Sequence, residues 1–383
     1  MKRHLPSVIL TMAIAVASFI AVSLTPLSGS ALATTTGTKT LPGPSAAVGG
    51  LIEASSCVAG PICVALGWNH HGNTSYLWAA RWQGDGWTRL QAPPEGNRSG
   101  PGITAISCTT KSWCMVTGTN DRNRPIAEEL IGTQWTTVRV PAVKGSSNFS
   151  IFKVSCETSQ WCVGVGSYVA NKPNYSDATF LVSETWNGST WRIVPIDSPR
   201  TYAPQLDPGM VDGGEHPTAS PQQISCVSKR FCMLAGFWMG VFVEEWNGRS
   251  WTKVTAPNAP IPGYDSEFSG GTCLSTTFCI AVGGYPVSNA AWRPLIEQWN
   301  GRSWHIVTMP RLPHYFNGKP GFNITGVECS STTRCEAFGD QTIENSGVNG
   351  LMWNGRSWRY VATGIRRSAE VVCLSNDHCQ LMG

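Results

Sequence analysis

All fourteen cysteines fall into seven pairs with one spacing, C-x5-C: Cys57/Cys63, Cys108/Cys114, Cys156/Cys162, Cys226/Cys232, Cys273/Cys279, Cys329/Cys335 and Cys373/Cys379. Thiols so placed can be oxidised to local disulfides or can hold zinc. Zinc sites favour two to four residues between paired ligands and need a second pair nearby. The even count and fixed spacing therefore read as seven disulfides of an exported chain. Closing each short loop stabilises the fold by about 2 kcal/mol in the chain-entropy picture.

Other reactive side chains sit in stretches of variable length. The first such stretch, GWNHHGNTSYLW, holds Trp68, His70, His71 and Trp78. Adjacent histidines in an extended segment point apart, so no metal site is expected, and no cofactor. The longest insertion, 196–222, carries Tyr202, Asp207, Asp212, Glu215 and His216; the 258–268 linker carries Tyr264, Asp265 and Glu267. Later units add Tyr168, Tyr175, Trp238, Tyr285 and Trp292. Aromatic faces beside carboxylates suit stacking on sugar rings or gripping a peptide. The candidate ligand-binding set is thus Trp68, His70, Trp78, Tyr202, Glu215, His216, Trp238, Tyr264, Asp265, Glu267, Tyr285 and Trp292. Glu215 with Asp265 or Glu267 would make a hydrolytic pair only if folding brings the two carboxyls together.

Glu128, Glu184, Glu244 and Glu297 recur in unit after unit, which a catalytic acid has no reason to do. They read as structural, each expected opposite its unit's closing Trp. Trp113, Trp161, Phe231 and Phe278, each just before the second Cys of a pair, read as packing residues.

These side chains are carried by a repeat. Each Cys pair lies between short apolar runs, as in GITAISC and CMVTG, which reads as a hairpin stapled at its mouth. A second hairpin follows: ETWNGSTWRIV returns as EEWNGRSWTKV, EQWNGRSWHIV and LMWNGRSWRYV. Asn-Gly between strand-like residues predicts a two-residue type I′ turn. Six such hairpins close with Trp87, Trp135, Trp191, Trp251, Trp304 and Trp358; the second is worn, reading LIGTQW. Four antiparallel strands repeated at this period predict an all-β fold, a β-propeller whose Trp fill the wedges between blades. Seven Cys hairpins suggest seven four-stranded blades, each with its disulfide. The last would be closed by both termini, with residues 35–44 as outer strand; six blades with a spare hairpin is the alternative.

The WNGxxW hairpin resembles the repeat of exported β-propeller proteins of soil-type bacteria. It is also similar to the Asp-box turn of sialidase-like propellers, S-x-D-x-G-x-x-W. The G-x-x-W half is kept, as in Gly188 to Trp191, but the Asp position holds Trp82, Leu130, Trp186, Trp246, Trp299 or Trp353. The resemblance implies architecture, and no sialidase catalytic residue can be carried over.

Strand direction puts the Cys loops and WNG turns on one face of the disc. The variable connections fall on the other, where function is expected.

The N-terminus carries Lys2 and Arg3, an apolar run from Val8 to Val22 and the small-residue pattern Ala31-Leu32-Ala33. It reads as a signal peptide, 1–33, before a single propeller domain, 34–383. The formal net charge is +4, and falls to +2 without Lys2 and Arg3. Basic residues do not run together, so nucleic acid is an unexpected partner. Only 14% of residues are charged while 40 are Gly and 17 Trp, a turn-rich β composition. The leading expectation is a secreted, monomeric propeller that binds an extracellular glycan or protein and has no membrane contact after cleavage. A polysaccharide hydrolase or lyase and a structural cell-envelope protein are the alternatives.

Overall fold

The computed structural model describes residues 51–58, 62–71, 74–94, 102–172, 175–196, 220–237, 240–257, 266–288, 291–312, 323–340, 348–362, 370–375 and 378–382. Among them, six four-stranded antiparallel sheets form the blades of a propeller, each with its strands in sequence order. Blade 1 is β1 (Leu51–Val58), β2 (Ile62–His71), β3 (Thr74–Trp82) and β4 (Trp87–Leu90). Blade 2 is β5 (Gly102–Thr110), β6 (Trp113–Thr119), β7 (Pro125–Ile131) and β8 (Gln134–Val138). Blade 3 is β9 (Ser146–Thr158), β10 (Trp161–Lys172), β11 (Tyr175–Trp186) and β12 (Trp191–Val194). Blade 4 is β13 (Ser220–Ser228), β14 (Phe231–Phe237), β15 (Val241–Trp246) and β16 (Trp251–Val254). Blade 5 is β17 (Glu267–Ser275), β18 (Phe278–Ser288), β19 (Ala291–Trp299) and β20 (Trp304–Ile306). Blade 6 is β21 (Gly326–Ser331), β22 (Arg334–Asp340), β23 (Val348–Trp353) and β24 (Trp358–Ala362).

The expectation of seven complete blades is corrected to six. The seventh Cys hairpin forms only a two-stranded sheet, β25 (Glu370–Ser375) and β26 (His378–Met382). β25 packs beside β21 on one side and β1 on the other. Residues 35–44, the expected outer strand, lie outside the described residues.

Six disulfides close the first hairpins of the six blades: Cys57–Cys63, Cys108–Cys114, Cys156–Cys162, Cys226–Cys232, Cys273–Cys279 and Cys329–Cys335. Their pairing is the expected one, but their setting differs from a staple at an open loop mouth. The second cysteine of each pair, Cys63, Cys114, Cys162, Cys232, Cys279 or Cys335, is at most 1% exposed. The reason is strand alternation. Cys114 shares a face of β6 with Val116, and Cys232 a face of β14 with Leu234, so each sulfur joins the apolar core beside its neighbour. Cys279 likewise packs with Ala281 in the core shared with blade 4. These cysteines are core residues beyond the reach of any ligand. Cys373 and Cys379 are backbone partners in the same register, their side chains outside the described set.

A hydrogen bond ties successive disulfide hairpins together. The N–H groups of Cys108, Cys156, Cys226 and Cys273 donate to the hydroxyls of Ser56, Ser107, Ser155 and Ser225 in the blade before, at 2.9–3.0 Å.

The cores lie between blades. Trp191 packs with Trp113 and Met115 of blade 2, Trp251 with Val163 and Val165 of blade 3, and Trp304 with Phe231 and Met233 of blade 4. These closing Trp thus fill wedges between blades, as their periodicity predicts. In five blades the Trp that opens the turn faces the closing one, as Trp186 faces Trp191 with ring centroids 5.7 Å apart. Such a pair adds about 0.5–1.5 kcal/mol to the area buried.

The turn itself differs from the expected two-residue form. Trp186 pairs with Trp191 across a four-residue loop, and the Asn187 Oδ1 accepts the N–H groups of Ser189 and Thr190 at 3.0 and 2.9 Å. The Asn side chain mimics a backbone turn while Gly188 takes φ +94°. The worn blade 2 does have a two-residue loop, between Ile131 and Gln134. The longer loop shifts register, so Glu184 lies opposite Ile193 rather than the closing Trp, and Glu297 opposite Ile306.

Candidate functional site

The first strand of each blade lines the axis. In β1, β5, β9, β13 and β17 the pairing to the next strand breaks at the fourth residue before the Cys, placing a β-bulge at Glu53, Thr104, Phe152, Gln222 and Ser269. Thr325 sits at the equivalent place, its N–H donating to the Phe338 carbonyl at 2.8 Å. The second strand supplies a glycine against the bulge. A Cβ on Gly166 would overlap the Ser150 carbonyl oxygen and come within 2.8 Å of the Ile151 Cα; Gly118, Gly236, Gly283 and Gly339 meet the preceding strand the same way. Bulges bend a strand and re-aim its side chains, and they gather beside functional sites.

Here they surround a central cavity of about 390 Å³. Each of the six blades gives it at least one polar side chain: Glu53 and Ser55, Thr104, Lys153, Gln223, Ser269 and Thr325. Glu328 also lines it. Burial by the walls pushes the Glu53 carboxyl above its ordinary range, and the Lys153 ammonium pulls it partly back. The Thr104 hydroxyl donates to the Ile151 carbonyl of the next blade at 3.3 Å. The bulges fall four residues before the Cys, on the side of the first strand away from the Cys loop, so they lie toward the variable-loop face.

The sequence candidates on that face separate into several groups. Trp78 is buried, 2% exposed, beside Ala65 and Ala80, so it is a core residue and leaves the ligand set. Trp68 is half-buried and packs into the core shared by blades 1 and 2, its ring lying over Gly102. Tyr285 is half-buried against the core of blades 4 and 5. Trp292 is half-buried near the tip of the β18–β19 hairpin, opposite Pro286. Glu267 is half-buried at the start of β17, opposite Gly284. Tyr202, Glu215, His216, Trp238, Tyr264 and Asp265 lie outside the described residues, as does the side chain of His70.

Two features escaped the sequence reading. Tyr76, 51% exposed at the tip of the β2–β3 hairpin, is the most open aromatic among the described residues. The cavity ring was also missed. Its signal was present as the C-x3-G spacing after each second Cys, from Cys63/Gly67 to Cys335/Gly339, which marks where one strand presses on the next.

The opposite face is built from the WNG turns seated on the Cys loops. The indole N–H groups of Trp186, Trp246, Trp299 and Trp353 donate to the carbonyls of Ser159, Lys229, Thr276 and Thr332 at 3.0–3.1 Å. The repeated glutamates lie within the sheets. Glu184 and Glu297 are fully buried, and desolvation pushes both carboxyls up to about 8.

Six disulfides fit an extracellular protein. No helix among the described residues is long and apolar enough to cross a membrane. No family model matches the chain. No curated protein matches it by sequence. Among solved structures, YCF48 bound to D1 peptide is similar over 90% of this chain and 91% of that one, with TM-score 0.54 and 11% identity. A polysaccharide lyase of family PL25, an ulvan lyase bound to -[GlcA(1-4)Rha3S]-, matches 88% of this chain and 87% of its own, with TM-score 0.53 and 9% identity. The GH74 xyloglucanase from Xanthomonas campestris matches 84% of this chain and 48% of its own, with TM-score 0.52 and 11% identity. These neighbours are β-propellers, and at such identities the likeness is one of fold.

Proposed function

We propose that this is a secreted propeller that binds an extracellular glycan at the cavity mouth and the loops around it. The observation that carries the reading is the ring of polar side chains, at least one from every blade, in a cavity of about 390 Å³. Hydroxyls, an amide, two carboxylates and an ammonium offer paired donors and acceptors for sugar hydroxyls, and Tyr76 and Trp292 offer ring faces on the variable-loop face. Two structural neighbours being polysaccharide-active enzymes, and one carrying a peptide, supports a carbohydrate or peptide ligand for a propeller of this shape. In this reading residues 1–33 are a signal segment, and 34–383 are one domain that the N-terminal segment helps to close.

Screening the purified protein on a glycan array tests it. Binding should be lost on Lys153→Ala and weakened on Trp292→Ala or Tyr76→Ala. Binding that survives all three would overturn the assignment of the face. Turnover across a polysaccharide panel, abolished by Glu53→Gln or Glu328→Gln, would instead favour the lyase or hydrolase reading.

A further inference from the structure

The loop position after the turn's glycine is equivalent in every blade with a four-residue turn, yet its charge divides the disc. It holds Asp85 in blade 1 and Ser189 in blade 3, but Arg249, Arg302 and Arg356 in blades 4, 5 and 6. The turn does not need arginine. In each basic copy the Asn Oδ1 accepts the arginine's own backbone N–H at 2.9–3.0 Å, as it accepts that of Ser189 in blade 3. The guanidinium heads are therefore free of any role in the turn, on backbones held fixed by it. All three residues are exposed, and among the described residues none of the three side chains has a carboxylate partner.

The surroundings extend the charge. In blade 4 the Arg230 stem lies against Gly248, beside exposed Lys229, and in blade 6 Arg359 follows the closing Trp358 in the open. Little nearby offsets them. Every Asp or Glu side chain described in blades 4 to 6 is buried or half-buried, and Glu336, which feels both Arg334 and Arg359, is held 3.5 Å from Arg334. These basic residues are dispersed along the chain and become a sector only when the blades are set side by side.

We propose that the turn face of blades 4 to 6 docks an acidic polysaccharide, a chain with carboxylate or sulfate groups in repeat. Guanidinium forks match both groups. One arginine per blade suits a polymer whose charges are spread by sugar rings, whereas a net charge of only +4 gives little hold on a dense phosphate backbone. The disulfides fit an extracellular protein, and such polymers occur outside cells. The site is on the opposite side of the disc from the cavity and stands independently of it.

Retention on immobilised polygalacturonate and dextran sulfate, with neutral dextran and duplex DNA as comparators, tests the proposal. The protein should bind one or both acidic polymers, release them as salt rises, and ignore neutral dextran. Arg249→Ser with Arg302→Ser and Arg356→Ser should fold, since blade 3 makes the same turn with serine, and should weaken binding about tenfold. Arg122→Ser, at an exposed basic residue of blade 2 outside the sector, should leave this binding intact. No binding to either acidic polymer, unchanged affinity in the triple variant with an unaltered melting temperature, or tighter binding to DNA would each overturn it.

Discussion

Trp251 of blade 4 donates its indole N–H to the Ser183 hydroxyl of blade 3 at 2.7 Å, and Ser183 in turn donates to the Val194 carbonyl at 2.9 Å. The equivalent of Ser183 is Ala127 in blade 2 and Val243 in blade 4, and the indoles that would reach them, Trp191 and Trp304, are buried without a partner. Ser183→Ala should therefore cost about 1–3 kcal/mol by orphaning Trp251. Ala127→Ser should gain about 1 kcal/mol by giving Trp191 an acceptor. Chemical denaturation of the two variants would show opposite shifts in midpoint; a loss in both would break the equivalence.

Stability should fall as pH rises. Glu184 and Glu297 titrate at about 8 when folded because burial disfavours their charge, so between the ordinary carboxylate range and pH 8 the unfolded chain holds fewer protons than the folded one. Their contribution is intact in acid and is lost as pH climbs through that window. Melting temperatures measured across it should decline, and Glu184→Gln with Glu297→Gln should flatten the slope.

The close approach at each bulge makes its glycine specific. Gly166→Ala should destabilise by about 3 kcal/mol, the upper end for overpacking, because backbone stands in the way. Gly86, with open space around it, should accept alanine with little change. Equal melting points for the two variants would refute the bulge as a packing contact.

Replacing Cys156 and Cys162 by alanine should lower stability by at least about 2 kcal/mol, as expected for a short closed loop whose second sulfur also fills core space. Reductant should then have less effect on the variant than on the parent in a thermal scan.

The sequence reading was most reliable where one side chain's spacing marks one contact. The C-x5-C pairs and closing Trp placed the hairpins because each works inside a single blade or against its neighbour. The depth of Cys114, Cys232 and Cys279 was harder to read, since it depends on which strand face meets the next blade. The WNG turn misled because Asn-Gly is equally at home in a two-residue loop; only the register of Trp186 with Trp191 reveals that the Asn side chain itself completes the turn. The cavity was illegible for another reason. Glu53, Lys153 and Thr325 are far apart in the chain, and only closing the ring makes them neighbours. The same holds for Arg249, Arg302 and Arg356, which look scattered as letters and line up as a rim.

The four bonds from a Cys N–H to the serine one blade back link blades 1 to 5 in series. Each acceptor stands beside the next donor, as Ser107 beside Cys108, so a lost hairpin releases a hydroxyl in the preceding sector and an N–H in the following one. Unravelling begun there would thus spread both ways around the disc, like a row of links parted in the middle.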